Sequence, residues 1–394
     1  MLIKSLQISN LLSYGEQAGV VELGNLNILI GPNGSGKSNF LEAISLLQAA
    51  PEQLTRPFRD GGGGIQDWLH KREGSGPAKD ARIEAVIHNP KGAKSFRYGL
   101  AFNEVGGRFE VRDEYLENET ADNGKPQPYF FYRWNEGRPV LNTTALGSPS
   151  ERKLLRESIK PEQSILSQKK DAEFYPEMTW VAEQFQSMRL YREWTFGRYS
   201  APRLPQKTDQ PNDRLEQDCS NLGLVLNRLR MNIHARRQLL EALRSVYEGI
   251  EDVDVRVEGG TAQVFLIEAN GVIPATRLSD GTLRYLAILT LLCDPSPPPL
   301  IGLEEPELGL HPDMLPTLAR LLSDASTRTQ LVITTHAPSL VDAFSENPAA
   351  VLVCERDENG TRTERLDPQH LAPWLEKYRL GELWTRGQIG GTRW

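Results

Sequence analysis

Residues 28–47 read ILIGPNGSGKSNFLEAISLL. A β-like apolar run stops at Gly31, a loop of small residues follows, and a lysine and a serine open an apolar helix pattern. From Gly31 to Ser38 the spacing fits G-x-x-x-x-G-K-[ST]. The strand-like LNILI before it and the helix-like NFLEAISLLQAA after it supply the context this motif needs. Gly31, Gly34 and Gly36 let the backbone turn and approach a ligand closely. Successive amides then point inward as an anion cradle, and the following helix adds its positive N-terminal end. Lys37 is placed to neutralise β- and γ-phosphates, and Ser38 to set a hydroxyl on Mg²⁺. Asn33, Gly34, Ser35, Gly36, Lys37, Ser38 and Asn39 are therefore expected to bind a nucleoside triphosphate.

A phosphate cradle alone hydrolyses nothing; a carboxylate must hold Mg²⁺ and another group must orient a water. Downstream stands PLIGLEEPELGLHPDML, where a short apolar strand, residues 300–303, ends in Glu304 and Glu305. Alternation along a strand sends these side chains to opposite sides, so they cannot share one task. Glu304 is assigned to Mg²⁺ through water and Glu305 to polarising the attacking water. QLVITTHAPSL follows, a second buried strand with His336 at its end. Groups at the carboxyl ends of parallel strands face the ligand crevice, so His336 is expected to reach the γ-phosphate or the water. Before the acidic strand, TRLSDGTLRYLAILTLL opens a strongly apolar helix. Ser279 or Asp280 is either a plain N-cap or, with Gly281, part of a second anion site.

The chain has 394 residues, 39% hydrophobic and 25% charged, which suits a packed core and suggests two lobes or one domain with an insertion. A formal net charge of −7 argues against an evenly basic nucleic-acid coat. Cys219, Cys293 and Cys354 show no C-x-x-C pairing, which fits a reducing cytosol. The opening MLIKSLQISNLLSYGEQ lacks the apolar core of a signal peptide. No run of about 18 apolar residues exists to span a membrane. A cytoplasmic location without membrane partners is expected.

GPNGSGKS, LSDGT, LEEPELGLHP and TTHAPSL, in this order and with these flanks, resemble the ABC-type ATPases of the RecF and SMC group. The nearest likeness is to stand-alone predicted ATPases of the AAA family related to the ATPase half of OLD-family nucleases. Their EEPE…HP motif matches Glu304, Glu305, Pro306, Glu307, His311 and Pro312. LIKSLQISNLLSYGE, RLEQDCSNLGLVLNRL and the ending LGELWTRGQIGG carry the likeness further, and residues 105–160 carry it least. The resemblance implies an α/β P-loop head, a mixed-sheet lobe plus a helical lobe, that hydrolyses ATP with Mg²⁺. It implies a homodimer closed by ATP, with Ser279 and Gly281 of one copy facing Lys37 of the other, and 307–310 as a dimer-facing loop. A glutamine that senses Mg²⁺ is also implied, Gln163 first and Gln66 second. DNA repair or defence against foreign DNA follows from the resemblance alone, with DNA and a separate effector protein as further partners. Two alternatives stand beside it. One is a slow nucleotide-sensing scaffold for a separate nuclease or toxin. The other is a transporter motor, opposed by LSDGT without a following glutamine and by Glu304 in place of the usual aspartate.

Expected organisation is a single head over 1–394. Residues 1–150 form a nucleotide-binding lobe with antiparallel strands, and 151–260 a largely helical insert that begins with SERKLLRESI. Residues 261–355 carry the signature, acidic and histidine motifs, and 356–394 a C-terminal tail. Residues 56–80 read as a glycine-rich loop. Sustained heptads are missing between the motifs, so no long coiled coil is expected. The arginines of NRLRMNIHARRQLLEALR read as a solvated helix face, with a basic DNA surface as the alternative. Asp252 and Asp254 read as a solvated strand face, with a nuclease metal pair as the alternative.

Overall fold

A computed structural model describes residues 1–72, 74, 76–135, 138–143, 150–153 and 159–391. Its centre is a six-stranded sheet in the order Arg189–Tyr191, Leu300–Glu304, Gln330–Thr334, Leu26–Ile30, Val351–Asp357, Gly360–Arg365. Every neighbouring pair is parallel except the last, which is a hairpin. All five residues of Leu26–Ile30 are buried, as expected of a parallel strand covered on both faces. Side chains alternate between two cores. Ile28 and Ile30 enter one core and Leu29 the other; Ile333 and Val332 divide in the same way.

Helix Lys37–Ala49 packs in the core shared with an eight-stranded antiparallel sheet built from residues 3–153. The opposite core holds helices Leu222–Arg230, Ile233–Arg244, Asp280–Leu292 and Leu315–Ser326. A smaller sheet of Gln206–Lys207, Ile250–Glu258, Thr261–Glu268 and Gly271–Pro274 joins them.

Several elements differ from their sequence reading. SERK, expected to open a helix, is strand Ser150–Lys153, paired antiparallel with Arg138–Thr143; residues 154–158 lie outside the described residues. The division expected at 260 falls in the turn between strands Ile250–Glu258 and Thr261–Glu268, whose register makes them one hairpin. Residues 56–80 contain helices Arg56–Asp60 and Ile65–Trp68 and a small hairpin, because Phe58 and Trp68 stack edge to face and fasten them to the core. Residues 213–221, within the stretch expected to be helical, are not; helix Leu222–Arg230 follows them and ends before Asn232, whose Oδ1 caps helix Ile233–Arg244 by accepting from Ala235 N at 3.0 Å. Among the described residues no helix is long and apolar enough to cross a membrane.

Candidate functional site

Gly31 follows strand Leu26–Ile30, and the loop runs into helix Lys37–Ala49. Gly31, Gly34 and Gly36 take φ of 149, 78 and 102. Close approach decides two of them. A Cβ on Gly31 would stand 2.3 Å from Cys354 O, and one on Gly36 would stand 2.4 Å from Thr361 Oγ1 and 2.6 Å from Ser13 Oγ. A polar seat lies beneath the loop. Thr361 Oγ1 lies 2.9 Å from Ser35 O and 2.7 Å from Ser13 Oγ, and Asn39 Nδ2 donates to Ser13 Oγ at 2.7 Å. Asn39 thus serves the loop's support, while Asn33 and Ser38 are exposed.

Lys37 is buried, and its ammonium donates to Gly31 O at 2.8 Å and Pro32 O at 3.0 Å. Burial lowers its pKa, and the carboxylates of Glu305, Glu304 and Glu307 oppose that shift. Neutral carbonyls are weak counterparts for an ammonium; a phosphate is a stronger one. Ser35 Oγ is buried without a hydrogen-bond partner. A loop seated too closely for side chains at Gly31 and Gly36, an ammonium held by carbonyls and an unpaired hydroxyl together fit a polyphosphate. Mg²⁺ needs one or two carboxylates plus phosphate oxygens, and Ser38 with Glu304 fits that donor set.

Strands Leu300–Glu304 and Gln330–Thr334 end beside the loop. The chain turns sharply at Glu305, a non-glycine residue at φ 45, where its amide donates to Thr334 O at 3.0 Å. That turn sends the two acidic side chains apart. Glu304 Oε2 accepts from Arg192 Nε at 2.9 Å, and Arg192 Nη1 also meets Glu42 Oε1 at 2.6 Å. Glu305 Oε1 lies 3.4 Å from His336 Nε2. Burial lowers the His336 pKa, Lys37 lowers it further, and Glu305 opposes them. The imidazole is therefore neutral at neutral pH. Glu307 is held above the usual carboxylate range, chiefly by burial. Its Oε1 accepts from Thr335 Oγ1 at 2.6 Å and from His336 N at 2.9 Å.

A profile for the family described as "AAA domain, putative AbiEii toxin, Type IV TA system" matches residues 26–342, a span that contains the phosphate loop, both glutamates and His336. The chain belongs to that family. Solved structures add the fold. An SMC head bound to the C-winged helix domain of ScpA superposes with TM-score 0.59 at 14% identity, over 95% of this chain and 100% of that one. An Smc head with an extended coiled coil, bound to the C-terminal domain of ScpA and derived from Pyrococcus furiosus, gives 0.60 at 13% identity, over 96% and 99%. An Smc head with a coiled coil and joint from Pyrococcus yayanosii gives 0.54 at 11% identity, over 96% and 99%. The fold is that of an SMC-head P-loop ATPase, as the RecF and SMC resemblance implied.

Within this AAA-family head, Ser279 is the N-cap of helix Asp280–Leu292, its Oγ accepting from Thr282 N at 3.0 Å. Gly281 abuts the loop after the acidic motif, where an added Cβ would stand 2.6 Å from Gly309 O. Buried Arg203 fixes this start, donating to Ala275 O at 3.2 Å and Leu278 O at 2.5 Å and pairing with Asp280. Gln163 precedes helix Ile165–Gln168, with its carbonyl accepting from Gln168 Nε2 at 2.9 Å. Gln66 is exposed on a short helix. No hydrogen bond among the described residues joins either glutamine to the phosphate loop. Asp252 pairs with Arg236, and Asp254 with Arg230 at 2.6 Å, so these arginines and aspartates neutralise one another. Sequence reasoning missed Arg192, Glu42, Ser13 and Thr361. The signal for Arg192 was a charge directly after strand Arg189–Tyr191; the others carried none.

Proposed function

We propose that this chain binds ATP with Mg²⁺ on Gly31–Asn39 and hydrolyses it as one half of an ATP-linked pair, acting in DNA repair or defence against foreign DNA with a separate effector. One observation carries the reading: Lys37, Glu305 and His336 converge at the carboxyl ends of adjacent parallel strands, where such sheets place their ligands. Lys37 exchanges its carbonyl partners for β- and γ-phosphate oxygens. Ser38 and Glu304 would hold Mg²⁺, which would supply positive charge to offset that of the phosphates. Glu305 accepts a hydrogen bond from the attacking water and orients it. Neutral His336 holds the far side of that water or the γ-phosphate.

Ser279 and Gly281 then close the site of the other copy. Their helix packs in the core on the opposite face of the central sheet from the phosphate-loop helix, which suits approach from a second molecule. Two such contacts make a closed two-fold pair. Smc heads solved with ScpA support a separate protein partner, and the family's toxin–antitoxin description supports the defence branch.

Three variants test this. Glu305→Gln is expected to keep ATP bound and trap a dimer while turnover falls by about 10²–10⁴-fold; a monomer with ATP by light scattering counts against the pair. Lys37→Ala is expected to lose ATP binding by calorimetry, and unchanged affinity refutes the phosphate assignment. Ser279→Arg is expected to abolish turnover and spare ATP binding; normal turnover refutes the role across the pair.

A further inference from the structure

Segment Leu380–Gly391, the ending LGELWTRGQIGG, lies beyond the span matched by the family and has no role assigned above, yet it touches both sides of the site. Helix Leu380–Thr385 docks on Pro338–Asp342, the helix into which His336 leads. Gly381 N donates to Asp342 Oδ1 at 2.7 Å, and Leu380 N to Ser345 Oγ at 2.9 Å. A Cβ on Gly381 would stand 2.1 Å from Pro338 O, so the two backbones are in contact.

The other end of the segment reaches the phosphate loop. Trp384 is buried, and its Nε1 donates to Gly391 O at 3.0 Å. Gly391 N donates to Glu355 Oε1 at 2.8 Å. Gly390 and Gly391 take φ of 76 and 69. A Cβ on Gly391 would lie 3.4 Å from Gly31 Cα and 3.0 Å from Val353 Cγ1. Gly31 therefore sits between the Cys354 carbonyl on one side and a bare glycine turn on another, and Lys37 is anchored to its own carbonyl.

We propose that Leu380–Gly391 is a strap that sets the phosphate loop against the His336 segment, tuning nucleotide affinity and turnover without touching the nucleotide. A cradle held in its binding conformation loses less freedom when the ligand arrives. A strap that spans both sides also fixes the distance between phosphate and histidine, on which the reacting geometry depends. The inference rests on ATP occupying Gly31–Asn39.

The test uses the full chain and ATP titrated by calorimetry. Glu355 is exposed, so its substitution leaves the core intact. Glu355→Leu removes the acceptor of Gly391 N, Glu355→Gln keeps an oxygen there, and Gly391→Val, at φ 69, crowds Val353 and Trp384 and displaces the turn that borders Gly31. Glu355→Leu and Gly391→Val are expected to raise the ATP dissociation constant about fivefold to tenfold and to lower kcat, while Glu355→Gln stays near wild type. Wild-type affinity in both Glu355→Leu and Gly391→Val, or an equal loss in Glu355→Gln, overturns the strap. Lys37→Ala run alongside separates the failures: if it too binds normally, the ATP assignment has failed first.

Discussion

Glu307 Oε1 accepts from the hydroxyl of Thr335 and the amide of His336, so this carboxylate sets where the imidazole stands. Glu307→Ala leaves both donors without their acceptor. Turnover is expected to fall about tenfold to a hundredfold with ATP affinity within twofold of wild type, because the loss is one of position. A parallel loss of affinity would place Glu307 in binding instead. His336 itself gives a pH signature. Its pKa lies below the ordinary 6.5, so the neutral form persists as pH falls to that value and is lost only below it. The kcat profile is expected to show an acid limb beneath pH 6.5 that His336→Gln abolishes. Residues of this kind divide sharply in how far the sequence reveals them. Gly31, Lys37 and Ser38 are legible because one contiguous stretch builds the cradle. Arg192 and Thr361 are not, since each acts through partners from distant parts of the chain, Glu42 and Glu304 for one and Ser13 for the other.

Helix Ile165–Gln168 depends on a carboxylate from the antiparallel sheet. Glu114 Oε2 accepts from Ile165 N at 2.8 Å, and Oε1 accepts from Ser164 Oγ and, at 2.7 Å, from Tyr98 OH. Burial pushes the Glu114 pKa up to about 7 against 4.5, and these hydrogen bonds oppose the shift. The folded state therefore binds the proton more tightly than the unfolded chain. The associated stability is present below pH 4.5 and is lost as pH rises to about 7. Melting temperature is expected to fall across that window, with a smaller slope in Glu114→Gln; identical slopes would remove Glu114 as the cause. Apolar elements such as Leu26–Ile30 and Asp280–Leu292 announce themselves by period and composition. Ser150–Lys153 does not: four polar residues become a strand because Arg138–Thr143 offers an edge to pair with, and that edge is invisible locally.

At the scale of the molecule, the two cores share one sheet. Adjacent residues of the same strand enter opposite cores, and the sheet draws its strands from both ends of the chain. Buried Gln330 ties the antiparallel sheet to the central one: its Oε1 accepts from Ile3 N at 2.8 Å, and its Nε2 donates to Ile3 O at 2.7 Å. A sequence reading in consecutive lobes follows chain order, whereas packing follows sheet order, and neither core can lose its wall without the other. Ile28→Ala and Leu29→Ala point from one strand into different cores. Each truncation is expected to cost roughly 2–5 kcal/mol, the range for buried aliphatic residues cut to alanine. Both are expected to shift a single calorimetric transition downward together. Were the cores independent, Ile28→Ala would split off an early transition and leave the remainder melting at the wild-type temperature, and Leu29→Ala would do the converse.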